Sequence, residues 1–327
     1  MTNILCKKRY AVKCYYHHER HKDFVMSLNI RELQYILKVA EVRNVTRAAN
    51  ELHITQPALS RYIRDVEDEL GTKIFDRSTN PISLTFAGEC YTETAKRILL
   101  EHENLRREIR DITRHMTGRL RIGTSRDRAS YMMPKLLPPF CRKYPGIKPE
   151  VFTESGKKLR EALKDGRIDV LMLPDIWQDS AYNFTSRLIY REELVLAAKA
   201  GTIPQESRRG RAIIPEALNG MKFFLLFREH AIRTFCDRYF RECGIKPEVL
   251  MEFPSNITCY RMAASGIGVA IIPELTAKMT DAGSDTELFS LDEEPETWDV
   301  VAFFRKGAYI GEPEQELITM AGEIFSA

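Results

Sequence analysis

Residues 46–71 contain two short apolar patterns with a helical period, separated by a few polar residues. In the first, the apolar residues share one face, and Thr46 is expected to cap the first turn. The second begins after Thr55, another capping residue, and places Pro57 where a missing N–H has no cost. Its apolar residues repeat at spacings of four, three and four before Gly71 ends the pattern. The stretch therefore predicts two helices joined by a tight turn.

The second of these helices has a polar face whose residue types suit a DNA groove. Glutamine and arginine can hydrogen-bond two atoms of one base edge, and serine and threonine can bond phosphates. The pattern predicts a helix-turn-helix with a recognition helix, although an ordinary core helix hairpin with a solvated polar face has the same spacing. The residues expected at the DNA, one of them in a following wing, are Thr46, Arg47, Thr55, Gln56, Pro57, Ser60, Arg61, Arg64 and Arg77.

A helix over residues 30–42 is predicted before this pair, and two short strands around residues 78–81 form the wing after it. Residues 86–115 then read as one long charged helix with an apolar seam. The seam alternates spacings of four and three, which favours pairing of two helices, so we expect a dimer. Its histidine is expected to set the register, with pH sensing as the alternative. The seam consists of Tyr91, Ala95, Ile98, His102, Leu105, Ile109 and Ile112.

From residue 118 the pattern changes to alternating strands and helices, arranged as two α/β lobes between which the chain crosses twice. Separate strands are expected at residues 184–190 and 193–199, on either side of the first crossing. Lobe I would comprise residues 118–192 and 285–327, and lobe II residues 193–284.

The predicted fold class is α+β multidomain, with an N-terminal winged helix-turn-helix, a long linker helix and a C-terminal two-lobed α/β domain. Their expected ranges are 27–85, 86–117 and 118–327, preceded by a basic extension over residues 1–26.

Three motifs connect residues 28–95 with a known family. They are T-R-A-A-x-x-L-H-I-x-Q-P-A-L-S-R, E-x-E-L-G-x-x-x-F-D-R and L-T-x-A-G. On these motifs the chain is identified as a member of the LysR-type transcriptional regulators. Residues 118–327 resemble the effector-binding domain of the same family, itself similar to periplasmic solute-binding proteins, chiefly through GRLRIGTS, DGRIDVLML and AASGIGVAIIP.

The resemblance implies a regulator that binds an interrupted palindrome in double-stranded DNA as a homodimer or homotetramer. A small-molecule co-inducer would be its ligand, with no other cofactor and no bound metal. Two other classes stay open at this point. The chain could be a solute-binding module whose N-terminal helices only oligomerise it, or an enzyme that uses the cleft between the lobes.

Ligands of open α/β sheets bind at the carboxyl ends of strands, where helix N-termini offer free N–H groups to anions. Four such places occur between residue 118 and the C-terminus, and all match family positions that line the interlobe cleft. Because arginines and a histidine lie among them, with Arg128 adding further positive charge, a small anionic effector is expected. The effector-binding residues would be Thr124, Ser125, Arg126, Ser155, Arg228, His230, Ser255 and Asn256.

Composition excludes several other classes. No apolar run approaches the roughly 18 residues of a membrane helix, so no membrane partner is expected. The sequence contains no G-x-S-x-G, Walker, G-x-G-x-x-G or H-E-x-x-H motif, which argues against an enzyme. The net charge of +3 arises mainly from residues 1–26, with six Lys/Arg and two Asp/Glu. Four acidic residues crowd the far end of the recognition helix, so DNA affinity should depend on dimerisation and base contacts: Asp65, Glu67, Asp68 and Glu69.

Seven scattered cysteines without a C-x-x-C pair indicate a reducing compartment, and we expect the protein in the cytoplasm. Cys236 and Cys243 fall on one apolar helix face, so burial is favoured over a redox switch. Peroxide-sensing members of the family carry a cysteine directly after a histidine in this stretch. Here Ala231 follows His230, which argues against peroxide sensing. The extension over residues 1–26 is expected to be disordered, with a histidine metal site as the alternative.

Overall fold

A computed structural model describes residues 29–113, 116–176, 183–280 and 285–326, without the side chain of Ile112. The expectations for residues 1–26 and for Ile112 in the helix seam lie outside the described residues. The described chain falls into two compact units, residues 29–99 and 100–326.

The first unit is a three-helix bundle followed by a two-stranded wing. Its elements are α1 (Ile30–Val42), α2 (Val45–Glu51), α3 (Gln56–Leu70), β1 (Phe75–Asp76) and β2 (Ser83–Leu84), and then the long α4 (Phe86–Ile112) begins. The two strands pair antiparallel. The core is built where the three helices face one another, from Ile36, Val39, Ala48, Ala49, Leu59, Ile63, Val66, Ile74 and Phe75.

Local capping explains where the two helices of the pair begin and end. Thr55 caps α3 as expected, because its side chain accepts a hydrogen bond from the Ala58 N–H at 3.4 Å. Gly71 ends α3 with a φ of 65°, a conformation that glycine adopts without strain. The cap expected at Thr46 was wrong: Asn44 caps α2, and its side chain accepts from the Arg47 N–H at 2.9 Å.

The motif L-T-x-A-G joins α4 to the wing. The Thr85 hydroxyl donates to the Lys73 carbonyl oxygen at 2.6 Å and accepts from the Gly88 N–H at 3.0 Å. A Cβ at Gly88 would lie 2.0 Å from the Ile74 carbonyl oxygen, so only glycine fits there. The glycine of the motif therefore has a packing role at the base of α4.

The second unit carries the two lobes. Lobe I contains β3 (Gly118–Thr124), α5 (Arg126–Lys143), β4 (Ile147–Thr153), α6 (Gly156–Lys164) and β5 (Val170–Pro174), and the chain then enters β6 (Phe184–Lys199). Lobe II contains β7 (Arg208–Arg209), β8 (Ala212–Ile213), β9 (Lys222–Leu226), α7 (Ala231–Glu242), β10 (Glu248–Phe253), α8 (Asn256–Ala264), β11 (Ala270–Pro273), α9 (Glu274–Met279) and β12 (Thr286–Ser290). The chain returns to lobe I through β13 (Thr297–Arg305) and ends in α10 (Glu312–Phe325).

The two strands expected at residues 184–190 and 193–199 are one strand, β6. Its first half pairs with β13 in a lobe I sheet of order β4-β3-β5-β13-β6, and its second half lies between β11 and β12 in lobe II. The charged run Arg191-Glu192-Glu193 interrupts the apolar pattern, which favoured a break in the prediction. These residues stay paired with the start of β13, so the backbone continues from one lobe into the other.

The boundary expected between residues 284 and 285 is also displaced. β12 pairs with the lobe II half of β6, in register from Thr286 with Lys199 to Ser290 with Val195. The chain therefore returns to lobe I after Ser290. Lobe II further includes α9, β7, β8 and β12, which the sequence pattern did not predict. One apolar core, which includes Phe140 and Phe289, continues through both lobes.

The second half of α4 belongs to the second unit and is bonded to lobe I. The buried Arg107 guanidinium donates to Asp169, and its Nη1 lies 3.7 Å from Glu314 Oε1. Asp169 also accepts from the Arg121 N–H at 2.9 Å. Asn104 adds a bond to the Gly307 carbonyl oxygen at 3.4 Å. The helix predicted as a linker and dimerisation element is thus also a structural part of this unit.

Candidate DNA-binding face and effector cleft

The polar face of α3 is open to solvent. Gln56, Pro57, Arg61 and Arg64 are exposed, and Ser60 is half-buried. The Gln56 amide donates to the Ser60 hydroxyl at 2.8 Å, which holds the glutamine over the first turn of the helix. Leu59, Ile63 and Val66 of α3 face the core, so the helix presents these polar groups on the solvent side of its unit.

Arg61 on this face and Arg47 on α2 remain available to a ligand. Arg47 pairs with Glu51 at 3.0 Å, and Arg61 lies 3.7 Å from Asp65. Their side chains are 72% and 81% exposed. Exposed pairs of this kind are worth at most about 1 kcal/mol, so DNA phosphates can compete for both guanidinium groups.

Glu67 has a role that the sequence did not reveal. It is 2% exposed, and its carboxylate accepts the N–H groups of Ile74 and Phe75 at 3.0 and 3.2 Å. Lys73 and Arg77 lie 3.2 and 3.7 Å from its second oxygen. Grouped in the sequence with the acidic residues that crowd the far end of the recognition helix, Glu67 in the structure fixes this helix to the wing. It also positions Arg77, whose side chain is 47% exposed.

The wing tip is held by hydrogen bonds within a tight turn. Asp76 accepts bonds from the Ser78 hydroxyl at 2.6 Å and the Ser78 N–H at 2.8 Å. These two bonds lower the pKa of Asp76 from its usual value. A carboxylate thus bonded keeps the turn ordered beside Arg77.

The seam predicted along α4 is partly occupied within one chain. Ala95 is buried, and Tyr91 packs against the core of the first unit, where burial raises its pKa to about 12. Leu105 and Ile109 are 55% and 50% exposed. Apolar side chains this exposed on a long helix are available to a second copy of the chain. Ile98 and His102 are half-buried.

A cleft of about 210 Å³ lies between the lobes. Four helices of the described chain begin at its wall, α5 and α6 from lobe I and α7 and α8 from lobe II. Of the predicted effector residues, Ser125, Arg126, Ser155, His230 and Asn256 line it. Helix N-termini carry partial positive charge, so their convergence favours a ligand with a negative group.

The four helix starts differ in how they are capped. Ser125 and Ser255 accept hydrogen bonds from the first turns of α5 and α8, at 3.4 and 3.3 Å. Ser155 and His230, the N-cap residues of α6 and α7, make no such side-chain bond to the described residues. One helix start on each lobe therefore has first-turn N–H groups without a side-chain cap.

At the wall of the cleft, Arg128 is the centre of a buried polar network. The side chain is 4% exposed, and its guanidinium donates to the Tyr190 hydroxyl and to Glu192 Oε2, the latter at 3.0 Å. The Trp298 indole N–H donates to the same Glu192 oxygen at 2.8 Å. Glu192 and Trp298 are paired on β6, the strand that continues from lobe I into lobe II, and on the start of β13.

Burial alone would lower the pKa of Arg128, but two tyrosines and Glu192 raise it overall, so the guanidinium stays charged. Because Glu192 neutralises that charge, Arg128 does not add the free positive charge expected from the sequence. Its Nε atom has no hydrogen-bond partner among the described residues, and neither has Asn256 Oδ1. Both residues line the cleft, which leaves polar atoms there for a ligand to satisfy.

Three predicted effector residues, Thr124, Arg228 and Ser255, do not line the cleft. Thr124 is fully buried and donates to the Met172 carbonyl oxygen at 2.9 Å, so it joins two strands of lobe I. Arg228 is exposed and lies outside the lining. Ser255 contributes through a contact with Asp127, whose side chain it binds. The sequence reasoning also missed lining residues, among them Asp127, Glu154, Glu229 and Trp298.

The cysteines near the cleft are buried. Cys236 and Cys259 are 2% and 0% exposed, and burial raises the pKa of the Cys236 thiol and brings that of Cys259 to about 12. A protonated, enclosed thiol reacts slowly with oxidants. Within the described ranges, no helix is long and apolar enough to cross a membrane, and no group of three or more His, Cys, Asp or Glu side chains could hold a metal.

A winged helix-turn-helix with an exposed recognition helix, followed by two lobes around a polar cleft, defines a DNA-binding protein that responds to a small ligand. Comparison with known proteins identifies the family to which the chain belongs. The family model "Bacterial regulatory helix-turn-helix protein, lysR family" matches residues 30–89, and "LysR substrate binding domain" matches residues 113–326.

The chain therefore belongs to the LysR family. It is a DNA-binding transcriptional regulator that carries an effector-binding domain and is not an enzyme. This excludes both the stand-alone solute-binding module and the cleft enzyme that the sequence had left open.

Individual relatives agree with this assignment. The chain is 29% identical to an uncharacterized HTH-type regulator, YybE of Bacillus subtilis, across 75% of this chain and 82% of that one. It is 28% identical to the dual regulator OxyR of Escherichia coli, across 76% and 80%. Among solved structures, a full-length OxyR variant from Pseudomonas aeruginosa matches with a TM-score of 0.66 at 23% identity, across 91% and 94%. CbnR in complex with its target DNA matches at 0.56 and 22%, across 92% and 100%.

Proposed function

We propose that the protein binds an interrupted palindrome in the cytoplasm, as a homodimer or homotetramer. Residues 27–85 would form the DNA-binding domain, 86–117 the dimerisation helix and 118–327 the effector-binding domain. The exposed Gln56 and the arginines of α3 would read base edges in the major groove, with phosphates held around them. The proposed contacts are Thr46, Arg47, Thr55, Gln56, Pro57, Ser60, Arg61, Arg64 and Arg77.

For the effector we propose a small carboxylate held between the N-termini of α6 and α7. The observation that carries this proposal is that these two helix starts face one cleft from opposite lobes without a side-chain cap. One carboxylate can accept N–H groups from both, and each helix dipole favours a negative charge there. Arg126 and the orphaned Arg128 Nε would supply additional donors.

The carboxylates of the cleft limit the charge of the effector. Glu154 and Glu229 are exposed in the same lining and would repel a second negative group placed beside them. We therefore expect a ligand with a single carboxylate and a polar or apolar remainder of small size. An anion with two or more charges would have one group stabilised by the helix N-termini and another repelled by Glu154 and Glu229.

The effector would act by drawing the lobes to a new arrangement. A ligand can shift the two arrangements only by its difference in affinity for them. A carboxylate bound to α6 and α7 together binds best where both helix starts are within reach, so it favours that geometry. The change would then alter how the DNA-binding domains are placed across the oligomer.

Peroxide sensing is not part of this proposal. Several relatives are named hydrogen peroxide-inducible genes activators, and the chain is about equally similar to them and to regulators without an assigned signal. However, Ala231 follows His230 at the start of α7, and Cys236 on the same helix is buried in the core. We therefore favour an effector that binds in the cleft over a signal carried by oxidation of a thiol.

The effector proposal is tested by placing a carboxylate where the ligand should bind. Carboxylate metabolites are first screened for those that raise the melting temperature and alter binding to the DNA upstream of the protein's own reading frame. In Ser155→Asp, the new side chain caps α6 itself and repels the ligand. We expect its affinity for the active carboxylate to fall by about tenfold or more.

Ser155→Ala is the matched control, because it removes the hydroxyl without adding charge, and it should bind within about threefold of the wild type. Hits restricted to neutral or cationic compounds would refute an anionic effector. Equal loss of binding in the alanine and aspartate variants would refute the position at α6.

A further inference from the structure

Asp127 makes a hydrogen-bonded bridge between the lobes. It is the second residue of α5 in lobe I. Its carboxylate accepts the Ser255 hydroxyl at 2.9 Å and the Asn256 backbone N–H, both at the start of α8 in lobe II. The bridge is partly buried, so solvent weakens it less than it would a fully exposed contact.

The place that Asp127 occupies is an anion-binding position. The first N–H groups of a helix have no intrahelical partner, and the helix dipole adds positive charge at that end. A carboxylate that accepts the N-cap hydroxyl and a first-turn N–H is bound as an external anion would be. At α8 the protein therefore supplies its own anion, whereas α6 and α7 lack a side-chain cap.

The next residue fixes Asp127 in place. Arg128 is anchored to Glu192 on β6, and Glu192 is bonded to Trp298 on β13. The first turn of α5 is thus tied to β6 and β13 through one side chain and to lobe II through the neighbouring side chain. Any motion that separates α5 from α8 must break the Asp127 bonds.

We propose that Asp127 is a latch, a positioning residue that holds the lobes together in the effector-free protein and excludes external carboxylates from the start of α8. An effector that separates α5 from α8 must offset the free energy of the Asp127 hydrogen bonds. An effector that keeps these helices together is aided by the same bonds. It also confines the effector carboxylate to the other helix starts. The latch itself rests on the Asp127 contacts and is independent of which compound binds at α6 and α7.

The latch predicts that a carboxylate from solution can replace the lost side chain. In full-length Asp127→Ala, hydrogen exchange of the segment from residue 255 to residue 260 should become roughly tenfold faster, because the Asn256 N–H loses its acceptor. Sodium acetate should restore protection in this variant, whereas sodium chloride at the same ionic strength should not. The wild type should not respond to acetate, since its own carboxylate fills the position.

Glu229→Ala is the matched control. It removes another carboxylate from the same cleft, but Glu229 makes no hydrogen bond or ion pair with the rest of the described chain. Its exchange at residues 255–260 should equal that of the wild type, with or without acetate. Asp127→Asn keeps the shape and one acceptor oxygen, so it should exchange at an intermediate rate and respond less to acetate.

Two outcomes would overturn the latch. Unchanged exchange at residues 255–260 in folded Asp127→Ala would mean that the bridge does not hold the lobes. Faster exchange that acetate leaves unaltered would mean that the position is structural and does not select for anions. If Asp127→Ala does not fold, Asp127→Asn decides the question by the same two readings. Failure of the Ser155→Asp test would refute the effector position and leave these outcomes as they are.

Discussion

The two units use arginine in opposite ways. In the recognition helix, the Arg61 side chain is 81% exposed and its nearest acid offers only a long surface contact. In the effector-binding unit, Arg128 is 4% exposed and is bonded to Glu192, 64 residues away. The first arginine is free for a partner, while the second is committed to the protein's own structure. A charge in a motif therefore indicates binding only when the fold leaves it unneutralised.

The largest effect is expected when the buried pair of Arg128 and Glu192 is broken. Glu192→Leu leaves the buried Arg128 without its counter-ion, which should lower the free energy of unfolding by about 3–5 kcal/mol. Chemical denaturation of the full chain, with hydrogen exchange to assign the loss to the effector-binding unit, measures it. Glu154→Gln, an exposed acid of the same cleft, should change the unfolding free energy by no more than about 0.5 kcal/mol. Equal effects of the two substitutions would remove the contrast between the arginines.

A smaller effect is expected from Glu67, the buried acid of the recognition helix. Glu67→Ala strands the N–H groups of Ile74 and Phe75, so it should destabilise the first unit by about 1–3 kcal/mol. Thermal denaturation, with hydrogen exchange at residues 73–77, measures the loss. Asp68→Ala changes the exposed neighbouring acid and should be near neutral. If Asp68→Ala were the more harmful substitution, Glu67 could not be the anchor of the wing.

Gln56→Ala tests the exposed face of the recognition helix, where the side chains are free to bind a partner. Loss of a two-bond contact to a base should weaken binding to the operator by about 1–3 kcal/mol, while binding to random DNA stays the same. Titrations on both DNAs at one salt concentration separate the two terms. Gln34→Ala, an exposed glutamine on α1, is the matched control and should leave both unchanged. A loss of the same size on random DNA would contradict base reading by Gln56.

The smallest effect concerns the cysteines. Because burial raises the pKa of Cys259 to about 12, only about one thiol in a thousand is ionised even at pH 9. Iodoacetamide should therefore label the exposed Cys141 in the native protein and leave Cys236 and Cys259 unlabelled from pH 7 to pH 9. Peptide mass spectrometry distinguishes them. Rapid native labelling of Cys236 would reopen the question of redox sensing.

Elements governed by local signals were predictable from the sequence. The bounds of α1, and the cap and stop of α3 at Thr55 and Gly71, agree with the structure. Each depends on residues within a few positions, such as an apolar period or a glycine that accepts a positive φ. The family and the fold class, which rest on contiguous motifs, were confirmed for the same reason.

Features that depend on distant partners were not predictable. The charges at residues 191–193 favoured a break in β6, because nothing local indicates that Glu192 meets Arg128 and Trp298. Asp127 was not singled out from the sequence, since its partners lie 128 and 129 residues away. Thr124 and Arg228 were assigned to the cleft by their position after strands, but the direction of each side chain is decided by packing.

The unbroken β6 has a practical consequence for anyone dissecting this regulator. A truncation after residue 192 would cut a strand that is hydrogen-bonded in both lobes, and each fragment would keep half of it beside an open sheet edge. Open edges of this kind recruit other strands and cause aggregation. Recombinant fragments should therefore keep both lobes on one polypeptide, because neither makes a self-contained product.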